Sequence, residues 1–134
     1  MTELTEFSVH SKQVNQWLNI TSDVQKAVTT SGIKEGICVV FIPHTTAAVT
    51  INENADPDVA YDVDFALSAI SPDRREFRHN EGNSAAHTKT TLVGPSITVI
   101  VHGGRLLLGT WQSIWFCEYD GPRNRKVYIR ILGE

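Results

Sequence analysis

The apolar run Ile37–Ile42 constrains the fold more than any other segment of this chain. All six of its residues are apolar, four are β-branched, and Pro43 follows directly. A short continuous run of this composition predicts a central β-strand that is buried on both faces. Because proline has no N–H to donate to a sheet, Pro43 should end this strand. His44 is therefore predicted to lie at a strand end, exposed but firmly held.

Three helices are predicted from end signals and apolar spacing. Ser22 and Gln25 have the capping-box spacing, which predicts a helix over about 22–31. Asp56-Pro57 is a typical start for a helix over about 57–70, with Asp58, Asp62 and Asp64 on its solvated side. A third helix is predicted over about 84–93, before Gly94-Pro95.

Alternating and β-branched segments predict the strands. Segments 7–10 and 16–20 should form a hairpin, and 47–51 should be a strand that follows the central one. The last forty residues predict four more strands, at 97–102, 106–108, 112–119 and 127–132. We therefore expect an α+β fold: one compact domain over 1–134, with mostly antiparallel β-sheets and two or three helices.

Composition narrows the class of protein. The chain has 134 residues, 41% of them hydrophobic, and a formal net charge of -3, which argues against a dedicated nucleic-acid binder. No segment approaches the roughly 18 apolar residues of a membrane span, and Met1–Glu6 does not resemble a secretory signal. A cytoplasmic protein is the expectation. Cys38 and Cys117 are expected to be buried free thiols, with a disulfide or a thiolate metal site as alternatives.

Two polar segments break the regular pattern. One spans 44–46 and 52–56, the other spans 79–87, and together they hold three of the five histidines, His44, His79 and His87. Each segment adjoins an apolar element that can hold its side chains in place. Imidazoles and carboxylates on rigid elements are suited to a metal site or to acid–base chemistry.

The two kinds of chemistry call on different residues. Three histidines with a glutamate or a water would suit Zn²⁺, with Ni²⁺ or Mn²⁺ as rivals. Alternatively, hydroxyls, amides, a helix N-terminus and one arginine could bind an anion such as phosphate. An aromatic side chain could stack on a flat heterocycle, although aromatics at this spacing are more often core or an oligomer interface. The residues of this second set are Thr45, Thr46, Asn54, Asn83, Ser84, Arg105 and Trp111.

Several long motifs together resemble those of the YjbQ family of small uncharacterised conserved proteins. The matching stretches are 44–48, 51–59, 79–87, 109–112, 116–123 and 127–134. The resemblance implies a compact α+β domain that assembles as a homotrimer. It also implies a metal or active site formed by shared histidines and acids, which here map to His44, Glu53, His79, Glu81 and His87.

The resemblance further implies secondary thiamine-phosphate synthase activity. In that reaction a thiazole phosphate nitrogen displaces pyrophosphate from a pyrimidine methyl diphosphate. Glu53, Glu81 and Asp56 would then hold a divalent ion such as Mg²⁺, while His44 or His87 would donate to the departing oxygens. Two alternatives stay open: a metal hydrolase with a water on a three-histidine ion, and a non-catalytic trimer that binds a small anionic metabolite.

Overall fold

A computed structural model describes residues 3–134. Met1 and Thr2, which belong to the segment that does not resemble a secretory signal, lie outside the described residues. Eleven helices and strands follow one another along this part of the chain. They are β1 (Leu4–His10), β2 (Gln16–Asn19), α1 (Thr21–Ser31), β3 (Glu35–Phe41), β4 (Ala47–Glu53), α2 (Pro57–Ile70), α3 (Ser84–Val93), β5 (Ser96–His102), β6 (Arg105–Leu106), β7 (Gln112–Glu118) and β8 (Asn124–Gly133).

The strands form two antiparallel sheets. The larger sheet has the order β1-β8-β3-β5-β6, and the smaller has the order β2-β7-β4. The main core lies between them, where Cys38, Val40 and Val127 of the large sheet meet Ile114 and Phe116 of the small one. A second cluster covers the other face of the small sheet, beneath α2 and α3. The result confirms the α+β fold with three helices and a single compact domain.

The predicted hairpin of the first two strands is wrong. β1 instead pairs with the last strand, from Leu4 opposite Arg130 to His10 opposite Asn124. β2 pairs with β7 in the other sheet. The segment between them is therefore a crossing from one sheet to the other.

The central strand is confirmed, but its burial on both faces is not. β3 lies in the middle of the large sheet, with Cys38 and Val40 buried in the core. On the opposite face Ile37 and Phe41 keep 38% and 44% of their surface exposed. Across the ladders Ile37 lies opposite both Ile100 and Leu132, so this outer face carries an exposed apolar row.

The helix bounds agree with the predictions, but the caps agree only in part. Asp56 caps α2 as expected, since its Oδ1 accepts from the N–H of Asp58 at 2.9 Å. The Ser22–Gln25 capping box is wrong, because α1 begins at Thr21 and Gln25 accepts from the N–H of Leu106 instead. The side chain of Gln25 thus bonds to the edge strand β6 instead of to the start of its own helix.

The acidic side of α2 also differs from the expectation. Asp58 and Asp62 are exposed, but Asp64 turns toward the second cluster, where its Oδ1 is buried without a hydrogen-bond partner. Tyr61 and Phe65 lie outward instead, 70% and 68% exposed. Within the described part of the chain, no helix is long and apolar enough to cross a membrane.

Candidate active site

The candidate site lies at the edge where the chain crosses between the two sheets. Three crossings meet there: 11–15 after β1, 42–46 after β3, and 119–123 after β7. The N–H of Tyr119 donates to the carbonyl of Thr46 at 3.1 Å, which extends the β4–β7 ladder into the crossings. Side chains from both sheets and from the start of α3 can therefore meet at one place.

A cavity of about 460 Å³ opens at this edge. We call it the histidine cavity. It brings together all three histidines of the two polar segments, as well as both threonines, Glu81 and Asn83. Its lining residues are Pro43, His44, Thr45, Thr46, His79, Glu81, Asn83, His87, Asp120, Arg123 and Arg125.

A buried ion pair supports one wall of the histidine cavity. Glu118 is 0% exposed and Arg125 is 5% exposed, and they form a two-pronged pair through Nε and Nη2 of the guanidinium. Ser11 Oγ also donates to Glu118 at 2.7 Å, and Arg125 Nη2 donates to Thr46 Oγ1 at 2.9 Å. Burial alone would raise the pKa of Glu118, but the hydrogen bonds, first those from Arg125 and Ser11, hold it below its usual value. The pair thus ties all three crossings together.

His44 is held in one orientation by the backbone of β8. Its Nε2 accepts from the N–H of Lys126 at 2.9 Å. In a neutral imidazole the proton must then lie on Nδ1, so His44 can donate a hydrogen bond. Partial burial, followed by the nearby Arg125 cation, lowers the pKa of His44 and favours this neutral form.

The second polar segment supplies the opposite side of the histidine cavity. The rings of His79 and His87 meet edge to face, with centroids 5.4 Å apart. Gly82, at a φ of 79°, closes a turn in which its N–H donates to the carbonyl of His79 at 3.1 Å. This turn places the exposed His79 near the start of α3. His87 lies within that helix, as the sequence predicts.

Two carboxylates are drawn together beside these histidines. Nδ2 of Asn83 donates to Glu81 at 3.0 Å and to Asp120 at 2.8 Å. Arg123 lies 3.0 Å from Asp120 and 3.6 Å from Glu81. His79 Nε2 lies 3.9 Å from Glu81 Oε1. One amide and one guanidinium therefore hold two acids in a small space next to two imidazoles.

One chain supplies only some of the ligands that the predicted metal site requires. Among residues 3–134, no group of three or more histidines, cysteines or acids is placed to hold a metal ion. His44 cannot supply Nε2 while that atom accepts from Lys126. His79 and His87 are the adjacent pair, with Glu81 and Asp120 lining the same cavity. The presence and identity of a metal ion stay a prediction.

Five residues assigned to the site from sequence lie elsewhere in the fold. Glu53 ends β4, roughly 20 Å along the strand from Thr46, and Asn54 and Asp56 follow it. Trp111 lies beside Asn54, because the N–H of Asn54 donates to the carbonyl of Trp111 at 2.9 Å. Arg105 lies beside the first residues of β3, whereas His44 follows its last ones. Within one chain these five do not join the histidines, and Ser84 begins α3 without lining the histidine cavity.

The sequence reasoning missed four charged residues of the site. Glu118 is the single charged residue of β7, and that lone charge was an available signal; Arg125 gave none, because β8 also contains the charged Lys126 and Arg130. Asp120 and Arg123 flank Gly121-Pro122, which was interpreted only as a turn. The neighbouring sequence does not indicate that these four residues lie near His44. Their proximity depends on how the chain crosses between the two sheets.

Comparisons with known proteins agree with this fold and extend over the whole chain. A family model described as UPF0047 protein YjbQ-like matches residues 5–134. UPF0047 protein MJ1081 of Methanocaldococcus jannaschii is 46% identical over 131 residues, which cover 98% of this chain and 95% of that protein. UPF0047 protein YugU of Bacillus subtilis is also 46% identical over 131 residues, with 97% and 99% covered.

Solved structures show the same similarity. An uncharacterized conserved protein of the YjbQ/UPF0047 family from Clostridium acetobutylicum has a TM-score of 0.93 and 49% identity, covering 96% of this chain and 99% of that one. A YbjQ-like protein of unknown function from Sulfolobus solfataricus P2 has a TM-score of 0.95 and 34% identity, with 100% and 99% covered.

Proposed function

Because the chain belongs to the YjbQ-like UPF0047 family, we propose that the histidine cavity is the active site of an enzyme that acts on small phosphorylated heterocycles. The observation that carries this proposal is the convergence of His44, His79 and His87 with Arg123 and Arg125 on one cavity of about 460 Å³. That volume suits a small metabolite. Imidazole and guanidinium donors on one wall suit a phosphate group.

His44 has the geometry of a neutral hydrogen-bond donor. Its Nε2 is engaged by the Lys126 N–H, which leaves Nδ1–H to donate to an oxygen of the substrate. A donor held in place by the backbone needs no rearrangement when negative charge develops on that oxygen. His87 and His79 on the opposite wall are suited to move a proton, because neither ring has a hydrogen bond to protein within the described residues.

We propose a divalent cation as the cofactor, with Mg²⁺ favoured over Zn²⁺ by the donors of one chain. Magnesium is commonly held by one or two carboxylates together with substrate phosphates. Glu81 and Asp120 supply such a pair, and Asn83 and Arg123 hold both in place. A bound Mg²⁺ would neutralise charge on phosphate oxygens. The hydrolase alternative would need three histidine ligands, of which His79 and His87 are the two that lie side by side.

The reaction that we propose to assay is thiamine phosphate formation from a pyrimidine methyl diphosphate and a thiazole phosphate. In this reaction the diphosphate leaves with its charge, so donors near the departing oxygens matter most. Nδ1–H of His44 would serve there, and Arg123 is the cation of the cavity that reaches the surface. The heterocycles would occupy the space between His44 and His87.

We propose that the protein assembles as a homotrimer through the outer face of the large sheet. That face exposes Ile37, Phe41, Ile100 and Leu132, of which Ile100 is 56% exposed. Contiguous apolar surface of this kind marks association sites in folded proteins. Light scattering during size-exclusion chromatography should give a molar mass of three times 14.9 kDa, and Ile37→Glu should lower that mass.

The first experiment measures thiamine phosphate formation by the purified native protein with added Mg²⁺, with Zn²⁺ and after chelation. His44→Ala and His87→Ala should each abolish turnover while leaving the circular dichroism spectrum unchanged. His102→Ala is the matched control, because His102 is an exposed histidine bonded to Glu35 at the other end of β3. It should keep full activity.

Two results would contradict this proposal. Full turnover in His44→Ala would remove His44 from the chemistry. Ligand-induced stabilisation by pyrophosphate without any turnover would favour the non-catalytic binder. Elemental analysis of the native protein beside the His79→Ala/His87→Ala double variant tests the metal separately.

A further inference from the structure

A second cavity of about 380 Å³ lies between α2 and α3, behind the histidine cavity. We call it the lysine cavity, after Lys89. Asn83 and Asp120 line both cavities and so form the wall between them. The sequence predicts that the start of α3 binds an anion, but it assigns no role to Lys89.

Lys89 is a buried cation without a counter-charge. Its residue surface is 6% exposed, and Nζ donates to Ser68 Oγ at 3.0 Å. Nζ also lies 5.8 Å from the ring centre of Tyr119. Within residues 3–134 no carboxylate oxygen lies within 4.0 Å of this nitrogen. An ammonium has three N–H donors, so Ser68 leaves two of them free.

A lysine in this state is unusual in a folded protein. Lysine is almost never buried unless it is paired, because desolvation of the ammonium is costly. One hydroxyl and one aromatic ring offset only part of that cost. Asp64, one turn before Ser68 on α2, does not supply the missing charge, although its Oδ1 is buried without a partner. An anionic ligand in the lysine cavity would supply it.

The start of α3 adds donors to the same cavity. Asn83 makes no side-chain cap on the helix: its Nδ2 donates to Glu81 and Asp120, and its Oδ1 accepts no hydrogen bond from the described residues. The N–H of Ala85, which lines the lysine cavity, has no acceptor among the described residues. Free N–H groups at a helix start favour an anion. Two acids line the lysine cavity: Asp120 is already paired with Arg123 at 3.0 Å, and Asp73 is exposed to solvent.

We propose that the lysine cavity is an anion subsite in which Lys89 Nζ and the start of α3 bind a phosphate group of the substrate. The subsite rests on the proposed function, since the reacting part of the same substrate would lie beside His44. Because Asn83 and Asp120 line both cavities, the two cavities are adjacent, and one extended phosphorylated molecule that passes over these two side chains would engage both. The substrate class is thereby narrowed to compounds whose phosphate lies away from the reacting atoms.

The test is titration of the native protein with inorganic phosphate, measured by calorimetry at constant ionic strength. Lys89→Met keeps the length of the side chain and removes its charge. We expect its phosphate affinity to fall by about tenfold or more, the size expected for a lost charged hydrogen bond. Lys34→Met is the matched control, because Lys34 is an exposed cation that precedes β3, at the end of that strand away from His44. Its affinity should stay within about twofold of wild type.

A second measurement does not depend on the stability of the variant. In the wild-type protein, inorganic phosphate should shift the backbone amide resonances of Asn83 and Ala85 in nitrogen–proton correlation spectra. Absence of these shifts, or equal affinity in wild type and Lys89→Met, overturns the subsite. Thiamine phosphate formation with an unchanged KM in Lys89→Met also overturns the subsite but leaves the proposed function standing. Amide shifts that are lost in Lys89→Met, in a protein without turnover, would support the subsite and overturn the proposed function.

Discussion

Removing Arg125 should destabilise the protein far more than removing any surface cation. In Arg125→Met, Glu118 would lose both prongs of its ion pair while remaining 0% exposed. Its remaining donors would be Ser11 Oγ at 2.7 Å and the N–H groups of Tyr119 and Asp120 at 3.1 and 3.0 Å. These neutral donors stabilise a carboxylate, but they do not neutralise its charge.

The expected loss follows from the cost of an unpaired buried charge. Breaking a buried pair by removing one partner typically costs about 3–5 kcal/mol of unfolding free energy. Lys126→Met, one residue further along β8 on the exposed face, removes a loose ion pair and should cost less than about 1 kcal/mol. Replacing both partners, in Glu118→Met/Arg125→Met, should recover much of the loss, because no buried charge is then left unpaired.

Urea denaturation at one fixed protein concentration measures these differences. The slope against urea should be the same for all variants, so that the midpoints report stability alone. A loss below about 1 kcal/mol in Arg125→Met, equal to that in Lys126→Met, would refute the buried-charge argument. A double variant less stable than Arg125→Met would refute the role given to Glu118.

Three further predictions concern single groups. Because the pKa of Glu118 is lowered in the folded protein, its contribution to stability is present above the unfolded value, near 4.5, and is lost as the pH falls through the folded value; acid unfolding curves of wild type and of Glu118→Gln should therefore converge at low pH. Nitrogen NMR of the His44 ring should show the proton on Nδ1 at neutral pH and titration below the ordinary 6.5, since its pKa is lowered; a proton on Nε2 would contradict the hydrogen bond from Lys126. Burial raises the pKa of Cys38 to about 11 and of Cys117 to about 12, so a thiol reagent at pH 8 should label neither in the native protein and both after unfolding.

Helix ends and strand ends followed from the sequence because short-range sterics and hydrogen bonds decide them. Asp56 caps α2 through the N–H of Asp58, two residues away, and Pro57 fits the first helical turn in any context. Pro43 ended β3 for an equally local reason, since it cannot donate to a ladder. Gln25 is the counterexample, because its side chain accepts a hydrogen bond from Leu106 of β6, which is 81 residues away in the sequence.

The sequence predicted which histidines form the histidine cavity, but not how each one is held there. Three histidines in two irregular polar segments were enough to predict that His44, His79 and His87 belong together. Their chemistry was not visible, because it depends on partners far along the chain. His44 is held by the backbone of Lys126, 82 residues away. Arg105 and Trp111 have equally suggestive side chains, but the strand directions carry them away from the cavity.

By itself, the sequence determined the family, the helix positions, the central strand and the identity of the polar segments. Each of these depends on neighbouring residues or on motifs that are recognisable in the linear sequence. Only the tertiary structure decided that β1 pairs with β8 and that three crossings share one edge. The same packing placed Glu118 and Arg125 in the interior and left Lys89 buried without a counter-charge. Burial and charge pairing arise between segments distant along the chain, and no local pattern of residue types encodes which distant segments will meet.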